Sequence, residues 1–316
     1  MKRNVLRVLC PVDFSESSRR ALRYAAAVAG LYGGRLTVLF VEDALLVSAA
    51  AAGYDPRVLA KASMRELRRF VSQAIGRARA RSVECAVSLG VPAREIEKVA
   101  TRLRAHLIVM GTHGLRGPKR LFFGSTTRDV LRRATVPVLA VPRAAARRPP
   151  ASWPGDRFLA GIELGSNART DARAAATFAR GFGAALLLVH VLPDLQAPSW
   201  VRARPGEPES RRVAKARMQL KRVMAGLGPR VHAEPCVLVG NPADTISAEA
   251  ARLRIGLIVL VLRGARGVFG ARPGSIAYQV LCQGLVPVAA LPSRFRPRGP
   301  SVVKAALRAL GSTTFL

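Results

Sequence analysis

The sequence repeats itself at a spacing of 150 residues. Residues 90–143 match residues 240–293 at 23 of 54 positions without a gap. A repeat of this length corresponds to a whole domain rather than to a short motif, and a chain of 316 residues has room for two domains of about 150 residues each. We therefore divide the chain into a first domain, a linker, a second domain and a basic C-terminal tail, at residues 1–146, 147–154, 155–293 and 294–316.

Each copy alternates short apolar segments with amphipathic segments. Near-continuously apolar strands that alternate with helices form a parallel sheet covered on both faces. The first copy predicts strands at 5–12, 36–41, 83–89, 106–110 and 136–141, and helices at 17–29, 55–79, 92–104 and 125–133. The second copy predicts strands at 158–162, 186–191, 231–239, 257–261 and 286–291.

This pattern predicts an α/β protein with two Rossmann-like, five-stranded parallel sheets flanked by helices. The last strand of each domain, residues 136–141 and 286–291, is apolar and would be an exposed edge in an isolated domain. Exposed apolar edges promote aggregation, so proteins usually cover them. We expect the two domains to pack through these strands as an intramolecular pseudo-dimer.

The net charge of +32 is spread over both copies. Residues 1–150 carry +18 and residues 151–316 carry +14, and arginine outnumbers lysine by 44 to 7. Such a charge fits contact with nucleic acid or an anionic membrane, or a compositional bias that places arginine on solvated helix faces. RNA-binding signatures are absent and aromatic residues make up only 5%. We favour the compositional interpretation, while noting that the charge also suits nucleotide phosphates.

The cysteines and the hydropathy pattern predict a reduced, cytoplasmic protein. Cys10, Cys85, Cys236 and Cys282 are far apart and form no C-x-x-C pair, which argues against a zinc site or a redox pair. Cys10 is expected to be a small buried hydrophobic residue rather than a redox centre. The N-terminus lacks a signal-peptide core, and no apolar run approaches the length of a membrane span.

A glycine-rich loop follows the fourth predicted strand of the first copy and precedes a helix. Its spacing is G-x2-G-x9-G-S, formed by Gly111, Gly114, Gly124 and Ser125. Glycines let the backbone approach a ligand closely, and a helix N-terminus binds anions through its free N–H groups. Lys119 and Arg120 in the same loop add positive charge. In parallel sheets, ligands bind at the carboxyl ends of the strands, where this loop lies.

Both copies resemble the universal stress protein family, over residues 1–143 and 155–293. The ATP-binding branch of that family carries the same glycine spacing, an aspartate after the first strand and a backbone contact at the end of the second. The resemblance implies a fold like that of the adenine nucleotide alpha hydrolases, with ATP and Mg²⁺ as the cofactor. It also implies that Asp13 and Val41 hold the adenosine, while the loop and Ser125 hold the ribose and phosphates. The predicted nucleotide-binding residues are Pro11, Asp13, Val41, Met110, Gly111, Gly114, Lys119, Arg120, Gly124, Ser125 and Thr126.

The second copy departs from this pattern at several positions. In place of Asp13, Ser15, Gly111, Lys119 and Arg120 it carries Glu163, Gly165, Val261, Phe269 and Gly270. A branched valine is expected to occlude the space where the backbone must approach the ribose. We expect nucleotide binding in the first domain alone and a structural role for the second domain as its permanent partner.

The sequence favours a regulatory nucleotide-binding protein of the stress response over a dedicated enzyme. No residue stands out as a general base, although slow ATP hydrolysis is compatible with a positioned phosphate and Mg²⁺. One alternative is a nucleotide-independent scaffold or a weakly nucleic-acid-associated protein that acts through its arginine-rich surface. Another is an adenylyl-transferring ATPase, which the absence of a glycine-rich loop after the first strand disfavours.

Other functional sites have weaker support in the sequence. No P-loop of the form G-x4-G-K-[S/T] is present, and no catalytic triad is apparent. The histidines lack metal-ligand spacing. His113 lies in the glycine loop, where we expect it to be solvated, and His106, His190 and His232 are expected at strand ends or in the core.

Overall fold

The computed structural model describes residues 5–43, 56–112, 124–194, 208–228, 231–262, 276–293 and 295. The first copy contains five strands and five helices within these residues. They are β1 (Arg7–Val12), α1 (Glu16–Leu31), β2 (Arg35–Asp43), α2 (Pro56–Ile75), α3 (Arg77–Ala80), β3 (Glu84–Gly90), α4 (Pro92–Arg102), β4 (Leu107–Gly111), α5 (Ser125–Arg133) and β5 (Val138–Val141).

The second copy follows the same order of elements. They are β6 (Arg157–Gly161), α6 (Ala168–Gly181), β7 (Ala185–Leu192), α7 (Glu209–Ala225), β8 (Ala233–Val239), α8 (Pro242–Arg252), β9 (Ile258–Leu262), α9 (Ile276–Gln283) and β10 (Val288–Pro292). The predicted strands are therefore all present, with ends that differ by at most two residues.

Two predicted boundaries differ from the structure for identifiable reasons. The long helix predicted over 55–79 is interrupted at Gly76, which has a φ of +85°, a conformation that ends a right-handed helix and that glycine adopts without strain. The last strand of the first domain begins at Val138 rather than at Val136. Pro137 precedes it, and a proline has no N–H group to give to the strand ladder.

All ten strands belong to one continuous sheet rather than to two separate ones. Its strand order is β3-β2-β1-β4-β5-β10-β9-β6-β7-β8. Every neighbouring pair is parallel except β5 and β10, which are antiparallel. The chain thus forms two five-stranded parallel sheets that are joined edge to edge.

The register of the β5–β10 pair is symmetric with respect to the repeat. Leu139 lies opposite Ala289, which is its own counterpart 150 residues later. On either side, Val138 pairs with Ala290 and Ala140 pairs with Val288. Reciprocal pairing of this kind is the signature of a two-fold interface between like units. The two copies are therefore related by a local two-fold axis that passes between Leu139 and Ala289.

The end of the linker packs against both copies, whereas most of its other residues are exposed. Trp153 is 5% exposed, and its Nε1 donates a hydrogen bond to the carbonyl oxygen of Gly256 at 2.9 Å. Its ring meets that of Tyr24 on α1 edge to face, with 4.9 Å between centroids. Tyr32 and its repeat counterpart Phe182 make a similar contact at 5.2 Å. These aromatic contacts tie the two copies together beside the shared sheet.

Buried apolar side chains form two clusters, each of which extends through both copies. The first cluster contains residues of α1, α2 and α6, and the second contains residues of α4, α5, α8 and α9. Successive strand residues alternate between the clusters, as Val8 and Leu9 do. The sheet is therefore covered on both faces. Within the described part of the chain, no helix is both long and apolar enough to cross a membrane.

Candidate functional site

The predicted site lies at the carboxyl ends of β1 and β4, which are neighbours in the sheet. The chain leaves β1 toward β2 on one side, while β4 and β5 lie on the other side. This reversal of strand order opens a crevice at the carboxyl edge of a parallel sheet, where ligands bind. Asp13 directly follows β1, and Gly111 is the last residue of β4.

Asp13 is held in place by the first turn of α1. Its Oδ1 accepts hydrogen bonds from the backbone N–H of Ser15 at 3.1 Å and from the Ser15 hydroxyl at 2.6 Å. The backbone N–H of Asp13 donates to Ser18 Oγ at 3.3 Å. Ser15 is also the N-cap of α1, because its Oγ accepts from the N–H of Ser18. The carboxylate is thus fixed by residues that also begin the helix.

Phe14 gives the turn between β1 and α1 an unusual backbone. Its φ of +63° lies in the left-handed region, which a bulky residue rarely adopts. The ring is anchored by Phe40 and Phe70, at centroid distances of 4.4 and 5.5 Å. The counterpart Leu164 is not among the residues with positive φ, so this strained turn belongs to the first copy alone. Strain of this kind is often retained where a ligand is positioned.

Gly111 is required by a contact within the protein. A Cβ atom at this position would lie 2.3 Å from the Oγ of Ser17 and 2.9 Å from its backbone C and O atoms. The loop motif predicts a glycine here for the approach of a ribose. The structure adds a second reason, because the end of β4 and the first turn of α1 touch here and leave no room for a side chain.

The second copy has a different arrangement at the position that corresponds to the contact between Gly111 and α1. Val261 occupies the position of Gly111 and is buried, and the helix after β6 begins at Ala168, two residues later than the repeat of α1 would place it. Its N-cap Asn167 makes no side-chain capping hydrogen bond. Gly165 stands where Ser15 caps α1 in the first copy. Gly165 and Val261 therefore accompany a different local structure between β6 and α6, in which the helix begins later and lacks a side-chain cap.

The start of α5 lies beside the end of β4, at the same edge of the sheet. Gly124 is the N-cap of α5 and supplies no side-chain acceptor to the first turn, so the N–H groups there can bind an anion. The N–H of Gly124 donates to Thr112 O at 3.0 Å, and the hydroxyl of Thr127 donates to Gly111 O at 2.8 Å. The two ends of the glycine loop are thereby held together.

The other predicted residues fall into three groups. Ser125 is exposed and Thr126 is half-buried at the start of α5, while Val41 is half-buried in β2 beside Ser88 of β3. Pro11 and Met110 are buried within the sheet, and the side chain of Met110 belongs to the second apolar cluster. The loop residues Gly114, Lys119 and Arg120 lie outside the described residues, as does His113.

His106, His190 and Cys10 are partly or fully buried and have roles in the fold rather than in a ligand site. Nδ1 of His106 accepts a hydrogen bond from the N–H of Arg7 at 3.0 Å, and Nδ1 of His190 lies 2.9 Å from Ile162 O. Burial lowers the pKa of both imidazoles. Cys10 is fully buried, and burial raises the pKa of its thiol far above the usual range, so it is the inert core residue expected. Among the described residues, no group of histidine, cysteine and acidic side chains could hold a metal ion.

Comparison with known proteins assigns the family. The sequence profile of the universal stress protein family matches residues 4–142 and again residues 155–292. The chain is a tandem two-domain universal stress protein. Each match covers nearly one whole copy of the repeat, so both domains descend from the same kind of unit.

Individual relatives agree with this assignment. Two universal stress proteins of Methanocaldococcus jannaschii are 28% and 27% identical to the chain, over 141 and 158 residues. Each alignment covers 43% of this tandem universal stress protein, and it covers 81% and 94% of the two relatives. A solved structure of a universal stress protein from Archaeoglobus fulgidus matches at a TM-score of 0.60 and 20% identity, over 90% of this chain and 96% of that chain. That structural match shows the same two-domain fold.

Several residues of the site in this universal stress protein were not among those predicted from sequence. Ser15, Ser17 and Ser18 form the first turn of α1 and touch Asp13 or Gly111, and Thr127 binds the carbonyl oxygen of Gly111. Serine is a common N-cap residue, and Ser15 caps α1. The contact of Ser17 with Gly111 joins distant segments of the chain and leaves no local signal in the sequence.

Proposed function

We propose that the first domain binds an adenine nucleotide, with ATP as the ligand, and that the bound state regulates a partner interaction in the stress response. The observation that carries this proposal is the crevice between β1 and β4. There a fixed carboxylate, Asp13, lies at one strand end and the uncapped N-terminus of α5 follows the other. A carboxylate suits the hydroxyl and amino groups of adenosine, and a helix N-terminus suits phosphate oxygens.

The geometry of Asp13 supports a direct role in binding. Both hydrogen bonds from Ser15 use Oδ1, so Oδ2 is the oxygen that we assign to the ligand. Val41 would offer backbone groups at the end of β2, while Ser125 and Thr126 would offer hydroxyl and N–H groups to the phosphates. We assign Gly114, Lys119 and Arg120 to the phosphate end on the basis of the family motif. Mg²⁺, when bound with ATP, would neutralise part of the phosphate charge.

The second domain is proposed to serve as a permanent structural partner. It lacks the aspartate, the capping serine and the glycine at the corner, and it carries Glu163, Gly165 and Val261 there. Its last strand instead covers the apolar edge of the first domain through the β5–β10 pair. We propose domain limits at 1–146 and 155–293, a packed linker at 147–154 and a cytoplasmic location.

Extraction of nucleotide from the purified protein tests this proposal against its alternative. Acid-released ligand, separated by chromatography, is expected to contain ATP or AMP at about one per chain, because we assign a nucleotide site to the first domain alone. Nucleic acid that copurifies and is released by salt, without free nucleotide, would instead favour a protein that acts through its arginine-rich surface.

Ser15→Ala, compared with the loss of another helix cap, should distinguish an effect on ATP binding from an effect on helix stability. Ser15 caps α1 and binds Asp13, whereas Asn241 caps α8 in the second domain, where its Oδ1 accepts from the N–H groups of Ala243 and Asp244. Loss of either cap should lower the free energy of unfolding by about 1 kcal/mol. Only Ser15→Ala should also weaken ATP binding, by about tenfold, because it removes the hydroxyl hydrogen bond that helps to fix the Asp13 carboxylate and leaves only the bond from the backbone N–H.

Denaturant unfolding and titration calorimetry of Ser15→Ala and Asn241→Ala measure the two effects. Equal ATP affinity in the two variants would show that the contact between Ser15 and Asp13 plays no part in binding. We expect Asn241→Ala to be destabilised as much as Ser15→Ala but to bind ATP with wild-type affinity. That result would exclude general destabilisation as the cause of weaker ATP binding in Ser15→Ala.

A further inference from the structure

Arg20 on α1 is a buried charge with two unpaired donor atoms. Its side chain belongs to a residue that is only 7% exposed, and neither Nε nor Nη1 has a hydrogen-bond partner. A guanidinium stays protonated in proteins, and charged groups are seldom buried unless they are paired. Two donor atoms of this guanidinium therefore lack an acceptor within the protein.

The carboxylate one turn earlier on the helix is already shared by two other arginines. Glu16 pairs with Arg19 at 3.3 Å and with Arg23 at 3.6 Å. No carboxylate in the described parts of the chain lies within ion-pair distance of Arg20. The first half of α1 thus carries three arginines against one glutamate.

The linker brings further positive charge to the same side of α1. Nη1 of Arg23 donates to Arg147 O at 3.1 Å, and Tyr24 contacts Trp153, so the linker contacts α1 one helical turn after Arg20. Burial lowers the pKa of Arg23, and repulsion from Arg148, Arg19 and Arg20 lowers it further, against the attraction of Glu16. Arg148 of the linker is therefore close enough to Arg23 for the two positive charges to repel each other.

The second copy lacks this arrangement. The counterpart of Arg20 is Thr170, and the counterpart of Glu16 is Ser166. The other two arginines in this part of α1 keep arginine counterparts in the second copy, so the buried arginine is the feature that is specific to the first copy. Because the second domain has the same fold with Thr170 at this position, the fold itself does not require Arg20.

We propose that Arg20, together with Arg23 and Arg148, binds a small phosphate-class oxyanion between α1 and the linker. Such an anion supplies oxygen acceptors to the unpartnered donors of Arg20 and offsets the excess positive charge. The proposed ligand is inorganic phosphate or pyrophosphate, or the phosphate group of a small metabolite. Because the linker joins the two domains, the bound anion would hold the linker against α1. This site uses none of the residues that we assign to ATP.

Thermal unfolding with and without the anion tests the proposal. Sodium pyrophosphate or phosphate, compared with sodium chloride of equal ionic strength, should raise the Tm of the wild-type protein by about 3 °C at saturating concentration. Arg20→Met should have a higher Tm than the wild type in chloride, because it removes an unpaired buried charge, and should show no response to the anion. Arg65→Met, on an exposed position of α2, should respond as the wild type does.

Two further variants keep the result interpretable. Arg148→Ala, on the exposed linker surface, should reduce the anion response without the risk of a misfolded core. Asp13→Ala should retain the full response, since it alters only the proposed nucleotide site. A rise in Tm that survives in Arg20→Met, or that disappears in Asp13→Ala, would overturn the proposal. The ATP site would still be judged by its own test.

The form of the anion that is bound can be identified by the same measurement. A rise in Tm with a phosphomonoester as large as that with phosphate would show that the phosphate group itself is recognised. A rise with the inorganic anions alone would identify those as the ligand.

Discussion

Gly111→Val is expected to abolish ATP binding and to destabilise the first domain. The added side chain would begin with a Cβ atom 2.3 Å from Ser17 Oγ and 2.9 Å from the Ser17 backbone, so the first turn of α1 would have to move. Overpacking against backbone is expected to cost about 3 kcal/mol of unfolding free energy. The same movement would displace Ser15 and Ser18, which position Asp13.

A matched glycine on α1 serves as the control. A Cβ atom added at Gly30 would meet nothing within 4 Å, and this glycine has no positive φ. Gly30→Ala should therefore leave ATP binding unchanged and stabilise the helix by up to about 1 kcal/mol. Chemical denaturation and calorimetric titration measure both properties. ATP binding by Gly111→Val at wild-type affinity would show that the corner between β4 and α1 does not form the site.

Asp13→Ala is expected to weaken ATP binding by about 100-fold or more. The substitution removes the carboxylate from the ligand and leaves the N–H of Ser15 without its acceptor; the loss of a charged hydrogen bond costs up to about 3 kcal/mol. Glu163→Ala at the matching position of the second domain should leave ATP affinity unchanged. Asp13→Asn keeps an oxygen for Ser15 and should bind ATP with an intermediate affinity, which separates the positioning of the turn from the contact with the ligand.

The central parts of the fold could be predicted because they depend on local and repeated patterns. The apolar runs indicated each strand, and the unpaired apolar edges predicted the joining of β5 to β10. The interruption at Gly76 depends on a left-handed φ that the sequence does not specify. The burial of Trp153 depends on Tyr24 and Gly256, which lie 129 and 103 residues away in the chain.

The candidate site could be predicted only in outline. The glycine spacing and Asp13 indicated where a ligand would lie, because both follow strands at one edge of the sheet. The packing of Gly111 against Ser17, by contrast, is a contact between distant segments. The same limit applies to the second copy, where Val261 is accommodated by a helix that begins later, a coupling that single substitutions in the sequence do not reveal.

The asymmetry between the two domains is tested most directly by the stoichiometry of ATP binding in titration calorimetry. With nucleotide-free wild-type protein, we expect about one ATP per chain, since only the first domain has the aspartate, the capping serine and the glycine at its β–α corner. The stoichiometry should stay near one in Glu163→Ala, and ATP affinity should fall by about 100-fold or more in Asp13→Ala. Two equivalent sites per chain, or a single site that Glu163→Ala removes, would contradict the assignment of the nucleotide to the first domain.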